Sequence, residues 1–239
     1  MISLFTDFGS TGPYVGQLHR VLALKAPGVP VIDLFHDVPN HDILAGAYLL
    51  PAYSRDFPPG SIHVCVVDPG VGGVRRPVAL QADSRWYLGP DNGLLSVVAR
   101  RARQALWHEL LWRPSSLSAT FQARDLFAPV AAMLAIGQQP EMRATTPLIG
   151  ADWPEDLATI LYIDRYGNAI TGLRAQGISR QARLRVGGRG VSHAETYSSV
   201  PEGSAFWTEN SNGLVEIAVN RGMASELHSL TPGTAVEKV

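Results

Sequence analysis

The first part of the chain alternates short apolar runs with segments whose apolar residues have helical spacing. Short apolar runs that end at polar residues or glycine indicate buried strands, whereas apolar residues three or four positions apart indicate helices. Strands are predicted in ISLFTDF, VPVIDLF, SIHVCVVD, PVALQAD, RWYLGPDNG and ALWHEL. Helices are predicted at Tyr14–Lys25, in DILAGAYLLPAY, where Pro51 interrupts the helix late, and in LLSVVARRA. This alternation predicts an α/β domain with a largely parallel sheet.

The pattern changes after Gly137. Residues Gln138–Asp156 are rich in proline and lack periodicity, which indicates a linker between domains of residues 1–150 and 151–239. The remaining β-type runs are separated by Gly, Asn and Pro turns: ATILYIDRYGNAITGL, ARLRVGGRGV, SAFWTENSNGLVEIAVN and TAVEKV. Short strands bounded by such turns predict a small all-β barrel or sandwich.

Composition narrows the kinds of partner. The 239 residues carry a net charge of −1 and are 46% hydrophobic, which is ordinary for a soluble globular protein. A nucleic-acid partner is not expected, since such proteins usually present a basic face. No apolar run approaches the roughly 18 residues of a membrane span. The start of the chain, MISLFTDFG, lacks the basic region of a signal peptide, so we expect a soluble cytoplasmic protein without membrane partners.

The cysteine and histidine content argues against a metal site. Cys65 is the single cysteine, which excludes an internal disulfide, fits a reducing compartment and cannot build a thiolate metal site. The seven histidines form no i, i+4 pair and no His-x-His spacing. We therefore expect no bound metal.

Two aspartates follow predicted strands, Asp7 after the first and Asp68 after the third. Ligands of parallel α/β sheets collect beyond the carboxyl ends of the strands, although an aspartate there is also a common turn former. Asp68 begins the loop DPGVGGVRRP, whose glycines allow close approach to a ligand and whose Arg75 stays charged. A glycine-rich hairpin turn with a surface arginine pair is the alternative interpretation. The loop matches neither a Walker A loop nor a dinucleotide fingerprint.

Several short segments together resemble the S-adenosylmethionine hydroxide adenosyltransferases, which are related to fluorinase and chlorinase. In the family's order, the chain contains FTDFG, YVGQL, IDLFHDVP, VVDPGVGGVRRP, GPDNGLL, TFQARDLFAPVAA, IDRYGNAITG and NSNGLVEIAVNRGMA. The resemblance implies an N-terminal α/β domain, a small C-terminal β-barrel and a homotrimer with substrate between domains of adjacent subunits. It also implies that water or hydroxide attacks C5′ of S-adenosylmethionine, giving adenosine and methionine without a cofactor.

The resemblance further implies roles for individual residues. Asp68 and Arg75 match catalytic residues that hold the attacking water. Asp7 matches the carboxylate that binds the ribose hydroxyls, and Phe121 matches an aromatic ring that packs on the nucleoside. The remaining substrate contacts match residues of the predicted barrel: Asp164, Tyr166 and Asn168 for the methionine amine and adenine, and Ser211, Glu216 and Val219 for the remaining ligand edge.

The chain departs from the family at one catalytic position. The family's histidine lies in a Thr-Phe-His-Gly-Arg-Asp segment, whereas this chain has TFQARD, with Gln122 and Ala123 in place of His and Gly. Glutamine can orient a water molecule but cannot take up a proton. General-base assistance is typically worth ~10²–10⁴-fold, so hydrolysis could be slow while substrate binding is retained.

Three hypotheses remain open at this point. The chain is an adenosine-forming hydrolase with Asp68 as its sole base, a halide-using relative, or a non-catalytic S-adenosylmethionine- or adenosine-binding protein, natural or engineered. Asp68 argues against the second, because a carboxylate repels an incoming anion. Products formed with and without chloride distinguish the three.

Overall fold

The first seven strands of the chain pair into one sheet. A computed structural model describes residues 1–239, and this sheet lies in the first of two compact units, Met1–Trp153. The strands are β1 Ile2–Thr6, β2 Val31–Phe35, β3 Ile62–Val66, β4 Pro77–Ala82, β5 Arg85–Pro90, β6 Ala105–Leu110 and β7 Met142–Thr145. Their order is β2-β1-β3-β5-β4-β6-β7. Only β4 and β7 run opposite to the other strands, which agrees with a largely parallel sheet.

The helices of the first unit are α1 Tyr14–Lys25, α2 Ile43–Tyr53, α3 Ser96–Arg101 and α4 Ala128–Ala135. They pack in two pairs, α1 with α4 and α2 with α3. The bounds of α1 agree with the predicted helix, whose Leu18 and Leu22 lie one turn apart and are both buried. Asp42 begins α2, because its side chain accepts a hydrogen bond from the backbone N of Ala45 at 2.8 Å. A π-helical turn, Ala123–Phe127, leads into α4.

The predicted late interruption of α2 at Pro51 does not occur. Proline removes a backbone donor, but Pro51 lies only two residues before the end of the helix at Tyr53. The backbone N of Ser54 then bonds to the carbonyl of Leu50 at 2.9 Å and closes the last turn. The missing donor therefore costs one hydrogen bond near a terminus and leaves the helix continuous.

Part of the predicted linker belongs to the sheet. Strand β7 lies within Gln138–Asp156 and pairs antiparallel with β6, so that Leu110 is opposite Met142 and Trp107 opposite Thr145. The strand has only four residues, and its middle two are exposed, which leaves no alternation of apolar and polar positions to detect. The second compact unit begins at Pro154.

The second unit, Pro154–Val239, is mostly β-structure and nearly closes into a barrel. Its elements are β8 Leu157–Ile163, β9 Ala169–Arg174, β10 Leu184–Val186, β11 Arg189–His193, β12 Ala205–Glu209, β13 Leu214–Val219, the short helix α5 Ala224–Leu227 and β14 Val236–Lys238. The strand order is β14-β10-β11-β12-β13-β9-β8. Thr159 of β8 bridges to Ala235, which brings the two ends of this sheet together. The predicted combination of an α/β domain and a small barrel is confirmed.

Each unit has its own apolar core. In the first, Leu4, Val64 and Leu88 from adjacent strands pack with residues of α1 and α4. In the second, Trp207 is fully buried, and its indole N donates to the carbonyl of Ala182 at 3.0 Å. No helix combines the length and the apolar character that crossing a membrane requires.

His63 is a buried polar residue at the centre of the first sheet. Its Nδ1 lies 2.6 Å from the Oγ of Ser3, its ring stacks on Tyr87 with centroids 4.5 Å apart, and its Nε2 has no hydrogen-bond partner. Burial lowers the pKa of His63 to about 3. The ring is therefore neutral in the folded protein at neutral pH.

We expect His63 to make the fold less stable in mild acid. Unfolded histidine takes up a proton near pH 6.5, whereas folded His63 does so only near 3, so its contribution is complete above 6.5 and is lost as pH falls. Between pH 7 and 5, the wild-type free energy of unfolding should fall by roughly 2 kcal/mol more than that of His63→Phe, measured by urea titration. His41→Asn, at an exposed left-handed position, is the control and should follow the wild type. Parallel pH curves for wild type and His63→Phe would contradict the prediction.

Candidate active site

A cavity of about 270 Å³ lies at the carboxyl ends of β1 and β3. These strands are parallel neighbours with Thr6 opposite Val66, so the residues that follow them reach the same edge of the sheet. Asp7 and Asp68 both line the cavity, as expected from their positions after parallel strands. The wall also contains aromatic rings and an amide: Phe8, Tyr14, Phe121 and Gln122.

Arg75 joins the other two residues predicted to be catalytic, Asp68 and Gln122. Its Nε donates to Asp68 Oδ1 at 3.0 Å, and its Nη2 donates to Asp68 Oδ2, so the carboxylate is held by two parallel bonds. Its Nη1 donates to Gln122 Oε1 at 2.8 Å. The Asp68 and Arg75 side chains are only 5% and 11% exposed, which shields the ion pair from solvent and salt.

The hydrogen bond from Arg75 fixes the orientation of the Gln122 amide. A guanidinium group can only donate, so Gln122 must accept through Oε1. Its Nε2 is then the amide group available for other contacts, and Gln122 lines the cavity. That group is a hydrogen-bond donor and cannot take up a proton. The proton acceptor of the trio is Asp68.

Asp7 is anchored by the loop that follows β2. Its Oδ2 accepts from the backbone N of His41 at 3.0 Å, and the His41 ring nitrogen Nδ1 lies 3.9 Å from the same oxygen. The Asp7 side chain is 9% exposed, whereas His41 is 76% exposed. Asp7 therefore presents a fixed, largely buried carboxylate to the cavity.

Three aromatic rings form one wall of the cavity. Phe121 contacts Phe8 and Tyr14 edge to face, with ring centroids 5.9 Å and 5.3 Å apart. The guanidinium of Arg124 lies over the Phe121 ring at 5.0 Å and donates to Gln17 of α1 at 2.9 Å. Phe121 was predicted from the sequence, whereas Phe8 and Tyr14 were not. Phe8 lies in FTDFG and Tyr14 in YVGQL, two of the segments that resemble the family. This resemblance could have indicated them as site residues.

The glycine-rich loop after Asp68 packs against the segment that carries Phe121 and Gln122. Gly72 has φ +81°, and a Cβ at this position would lie 2.8 Å from the carbonyl oxygen of Ala119. Both the left-handed backbone and the close contact favour glycine there. The loop is therefore held against this segment at Gly72, and Val71 lines the cavity, whereas Val74 further along the loop is fully exposed.

In the second unit, the predicted residues Asp164 and Asn168 form a tight turn between β8 and β9. Asp164 Oδ1 accepts from the backbone N of Tyr166 at 2.8 Å and of Asn168 at 2.9 Å. Its Oδ2 accepts from Asn168 Nδ2 at 2.9 Å. Asn168 is 4% exposed, whereas Tyr166 is 75% exposed. The aspartate thus organises the turn and orients the amide beside it.

A cavity of about 600 Å³ in this unit is lined by three of the residues predicted to contact substrate, Tyr166, Asn168 and Val219. Tyr197 also lines it, and its hydroxyl donates to Glu216 Oε1 at 3.0 Å. Burial raises the pKa of Glu216, and the hydrogen bond from Tyr197 only partly opposes this. Tyr197 was not predicted, since it lies in a short 3₁₀ turn without periodicity.

Ser211 does not line this cavity. It lines a separate cavity of about 290 Å³ with His193, Glu195 and Thr208, among others. Tyr166, Asn168 and Val219 therefore line one cavity, and Ser211 lines another. In residues 1–239, no three His, Cys, Asp or Glu side chains are grouped so that they could hold a metal ion.

The fold and the first cavity define a two-domain protein whose α/β unit presents buried carboxylates and an aromatic wall to a small ligand. Family models identify it further: the SAM hydroxide adenosyltransferase N-terminal domain matches residues 2–144, and the C-terminal domain of the same family matches residues 158–237. The chain belongs to the SAM hydroxide adenosyltransferase family. The resemblance found in the sequence is confirmed.

Relatives cover nearly the whole chain. The (R)-S-adenosyl-L-methionine hydrolase of Salinispora arenicola is 40% identical over 97% of this chain and 95% of its own length. The (R)-S-adenosyl-L-methionine hydrolase of Thermus thermophilus is also 40% identical, over 98% of each chain. The crystal structure of an uncharacterized conserved protein from Thermotoga maritima superposes with a TM-score of 0.85 at 29% identity, covering 100% of this chain and 99% of that one. A fluorinase from Nocardia brasiliensis is more distant, at 24% identity over 99% of this chain and 96% of its own.

Replacing Gly72 with alanine should destabilise the first unit. The added Cβ meets the Ala119 carbonyl and requires an unfavourable backbone angle, so we expect the free energy of unfolding to fall by about 1–3 kcal/mol. Gly70→Ala is the matched control in the same loop, because its Cβ would make only ordinary contacts at 3.9 and 4.0 Å. Chemical denaturation of both variants gives the comparison. Equal stability of the two variants would contradict this account of the loop.

Proposed function

We propose that this chain hydrolyses S-adenosyl-L-methionine to adenosine and L-methionine. The observation that carries the proposal is the connected group Asp68–Arg75–Gln122 in the same cavity as Asp7 and the Phe121 ring. Family membership and the names of the relatives at 40% identity support the reaction. Those names specify the (R) epimer at the sulfonium, so we take this epimer as the preferred substrate.

The cavity offers complementary groups for the nucleoside. The Asp7 carboxylate can accept hydrogen bonds from the two ribose hydroxyls, and the Phe121 ring can pack against the flat or apolar faces of the ligand. We assign the remaining contacts, to the methionine amine, the adenine and the outer ligand edge, to the barrel residues Asp164, Tyr166, Asn168, Ser211, Glu216 and Val219. Partial desolvation in this cavity also strengthens each polar contact.

The chemistry needs an oriented nucleophile more than an activated electrophile. The sulfonium is already a good leaving group, so the reaction requires no cofactor. The water oxygen attacks C5′, the C5′–S bond breaks with its electron pair moving to sulfur, and methionine leaves as a neutral thioether. The proton lost by water passes to Asp68 and then to solvent. In-line placement of the water opposite sulfur supplies most of the rate enhancement in this scheme.

Gln122 has a different role in this scheme from that of a histidine. Its Nε2 donates a hydrogen bond to the water oxygen, while Asp68 accepts a hydrogen bond from the water. Arg75 holds both side chains in place. The water is therefore positioned by two groups but has only one proton acceptor. Compared with a site that has histidine at position 122, this lowers the rate of hydrolysis without weakening substrate binding.

A halide-using reaction is the second candidate, supported by the fluorinase relative and by the donor that Gln122 offers to an anion. The Asp68 carboxylate, 5% exposed, opposes it, because anion repulsion is strong where solvent screening is weak. Incubation with each epimer of S-adenosylmethionine, with and without chloride, tests both candidates by chromatography. We expect adenosine in either buffer. Formation of 5′-chloro-5′-deoxyadenosine would replace the proposal with the halide reaction, and binding without any product would show a binding protein.

Restoring a histidine should accelerate hydrolysis. Gln122→His returns a group that can take up a proton near neutral pH, and we expect kcat to rise by about 10- to 100-fold. The rate of the variant should also gain a pH dependence near 6.5, the ordinary histidine pKa. Gln122→Asn, which has an amide but no base, is the control and should not exceed the wild type. A histidine variant that binds substrate normally but is no faster would contradict the role given to Gln122.

We also propose a cytoplasmic homotrimer in which the first unit of one subunit and the barrel of its neighbour share each site. Sedimentation should then give three times the chain mass of 25.8 kDa. Mixed trimers of Asp68→Asn and Asn168→Ala subunits should recover about one quarter of the wild-type activity, since random assembly pairs two intact halves at that frequency. No recovery in verified mixed trimers would place each site within one chain.

A further inference from the structure

The strands that lead to Asp7 contain an irregularity. The parallel register of β1 and β2 shifts after Leu4, so that Phe5 lies opposite Phe35 and β2 contains one extra residue. Such bulges re-aim side chains and are frequent beside active sites. If the shifted register is continued by one position, His36 lies opposite Thr6, which is the residue before Asp7. The bulge therefore brings a histidine to the base of the loop that carries Asp7 and Phe8.

A chain of hydrogen bonds runs through His36. Its Nε2 lies 3.0 Å from Asp33 Oδ1, and its Nδ1 lies 2.7 Å from Thr6 Oγ1. The backbone N of Phe8 donates to the same Thr6 hydroxyl at 3.2 Å. A carboxylate only accepts and a backbone N–H only donates, so both ends of the chain are fixed. His36 donates from Nε2 to the carboxylate, so a neutral imidazole accepts at Nδ1 and Thr6 donates its hydroxyl proton there.

Asp33 selects this tautomer of His36. Partial burial raises the pKa of Asp33. The interactions with His36 and His19 together lower that pKa by a larger amount, so it lies below its ordinary value. Asp33 is thus ionised at neutral pH and acts only as an acceptor. Because His36 is 8% exposed and Thr6 is fully buried, solvent does not replace a lost partner at their contact.

The backbone around His36 adds a second link to the same segment. The carbonyl of His36 accepts from the backbone N of Gly9 at 2.8 Å. Together with the bond between Thr6 and Phe8, this contact holds the segment 6–9 on both sides of Asp7. Asp7 and Phe8 both line the first cavity.

We propose that His36 is a positioning residue for substrate binding, which fixes the Asp7–Phe8 segment through Thr6. The proposal rests on the proposed function in that it takes Asp7 as the group that binds the ribose. His36 forms no hydrogen bond with Asp68, Arg75 or Gln122, so we expect its loss to change substrate affinity and to leave the chemical step intact.

Two variants of His36 separate its two hydrogen bonds. His36→Asn places an amide oxygen where Nδ1 was and keeps an acceptor for Thr6, whereas His36→Gln keeps a donor for Asp33 and loses that acceptor. We expect His36→Gln to raise KM for S-adenosylmethionine roughly tenfold with kcat within about twofold. His36→Asn should stay within about threefold of the wild-type KM. His19→Gln makes the same change at the exposed end of the chain of bonds and should leave both constants unchanged.

A double-mutant cycle tests whether Thr6 carries the effect. Thr6→Val removes the hydroxyl with little change of shape, so it breaks the bonds to both His36 and Phe8 and should raise KM at least as much as His36→Gln does. The double variant should be no worse than Thr6→Val alone, because that change already breaks the bond between Thr6 and His36. Additive effects would overturn the route through Thr6, and a loss confined to kcat would overturn the role in binding.

Amide hydrogen exchange measures the positioning without relying on activity. The Phe8 and Gly9 amides should exchange roughly tenfold faster in His36→Gln and Thr6→Val than in wild type, and near the wild-type rate in His36→Asn. Unchanged exchange in the first two variants would overturn the inference even in an active enzyme. A wild type that hydrolyses no S-adenosylmethionine would instead refute the proposed function, while the exchange rates would still decide what His36 does.

Discussion

The parallel pairing of β1 with β3 is the constraint on which the site depends. Parallel neighbours end at the same edge of a sheet, so Asp7 and Asp68 meet although 61 positions separate them in the sequence. Two carboxylates in one small cavity would repel each other if both lacked partners. Each has one: a backbone N–H holds Asp7, and a guanidinium neutralises Asp68. The fold therefore brings the charges together, and local contacts make that arrangement tolerable.

Arg75 determines what the cavity can do to a ligand. Its guanidinium is committed to two neighbours, which leaves Asp68 oriented and the Gln122 amide with its donor group available. A water molecule, which both donates and accepts, matches these two groups better than an anion, which only accepts. The distribution of donors and acceptors, more than net charge, thus favours water as the nucleophile.

Much of the fold follows from local periodicity. The bounds of α1 and the alternation of strands and helices were predictable, because apolar spacing reports directly on buried faces. Strand β7 was missed because its pairing with β6 is a tertiary contact that four partly exposed residues do not encode.

The same limit applies to the prediction of the site. Asp7 and Asp68 follow strands and were predictable, whereas the placement of Tyr14 and Tyr197 depends on packing between distant segments. The sequence also could not show that Ser211 lies in a separate cavity.

The near-closure of the barrel has a consequence for how the chain is made. Thr159, close to the start of the second unit, pairs with Ala235, so this unit can close only when almost all of it has left the ribosome. The first unit is complete at Trp153 and has no such requirement. Domains of a growing chain tend to fold in order of synthesis. The half that carries Asp68, Arg75 and Gln122 can therefore be assembled while the barrel is still being translated.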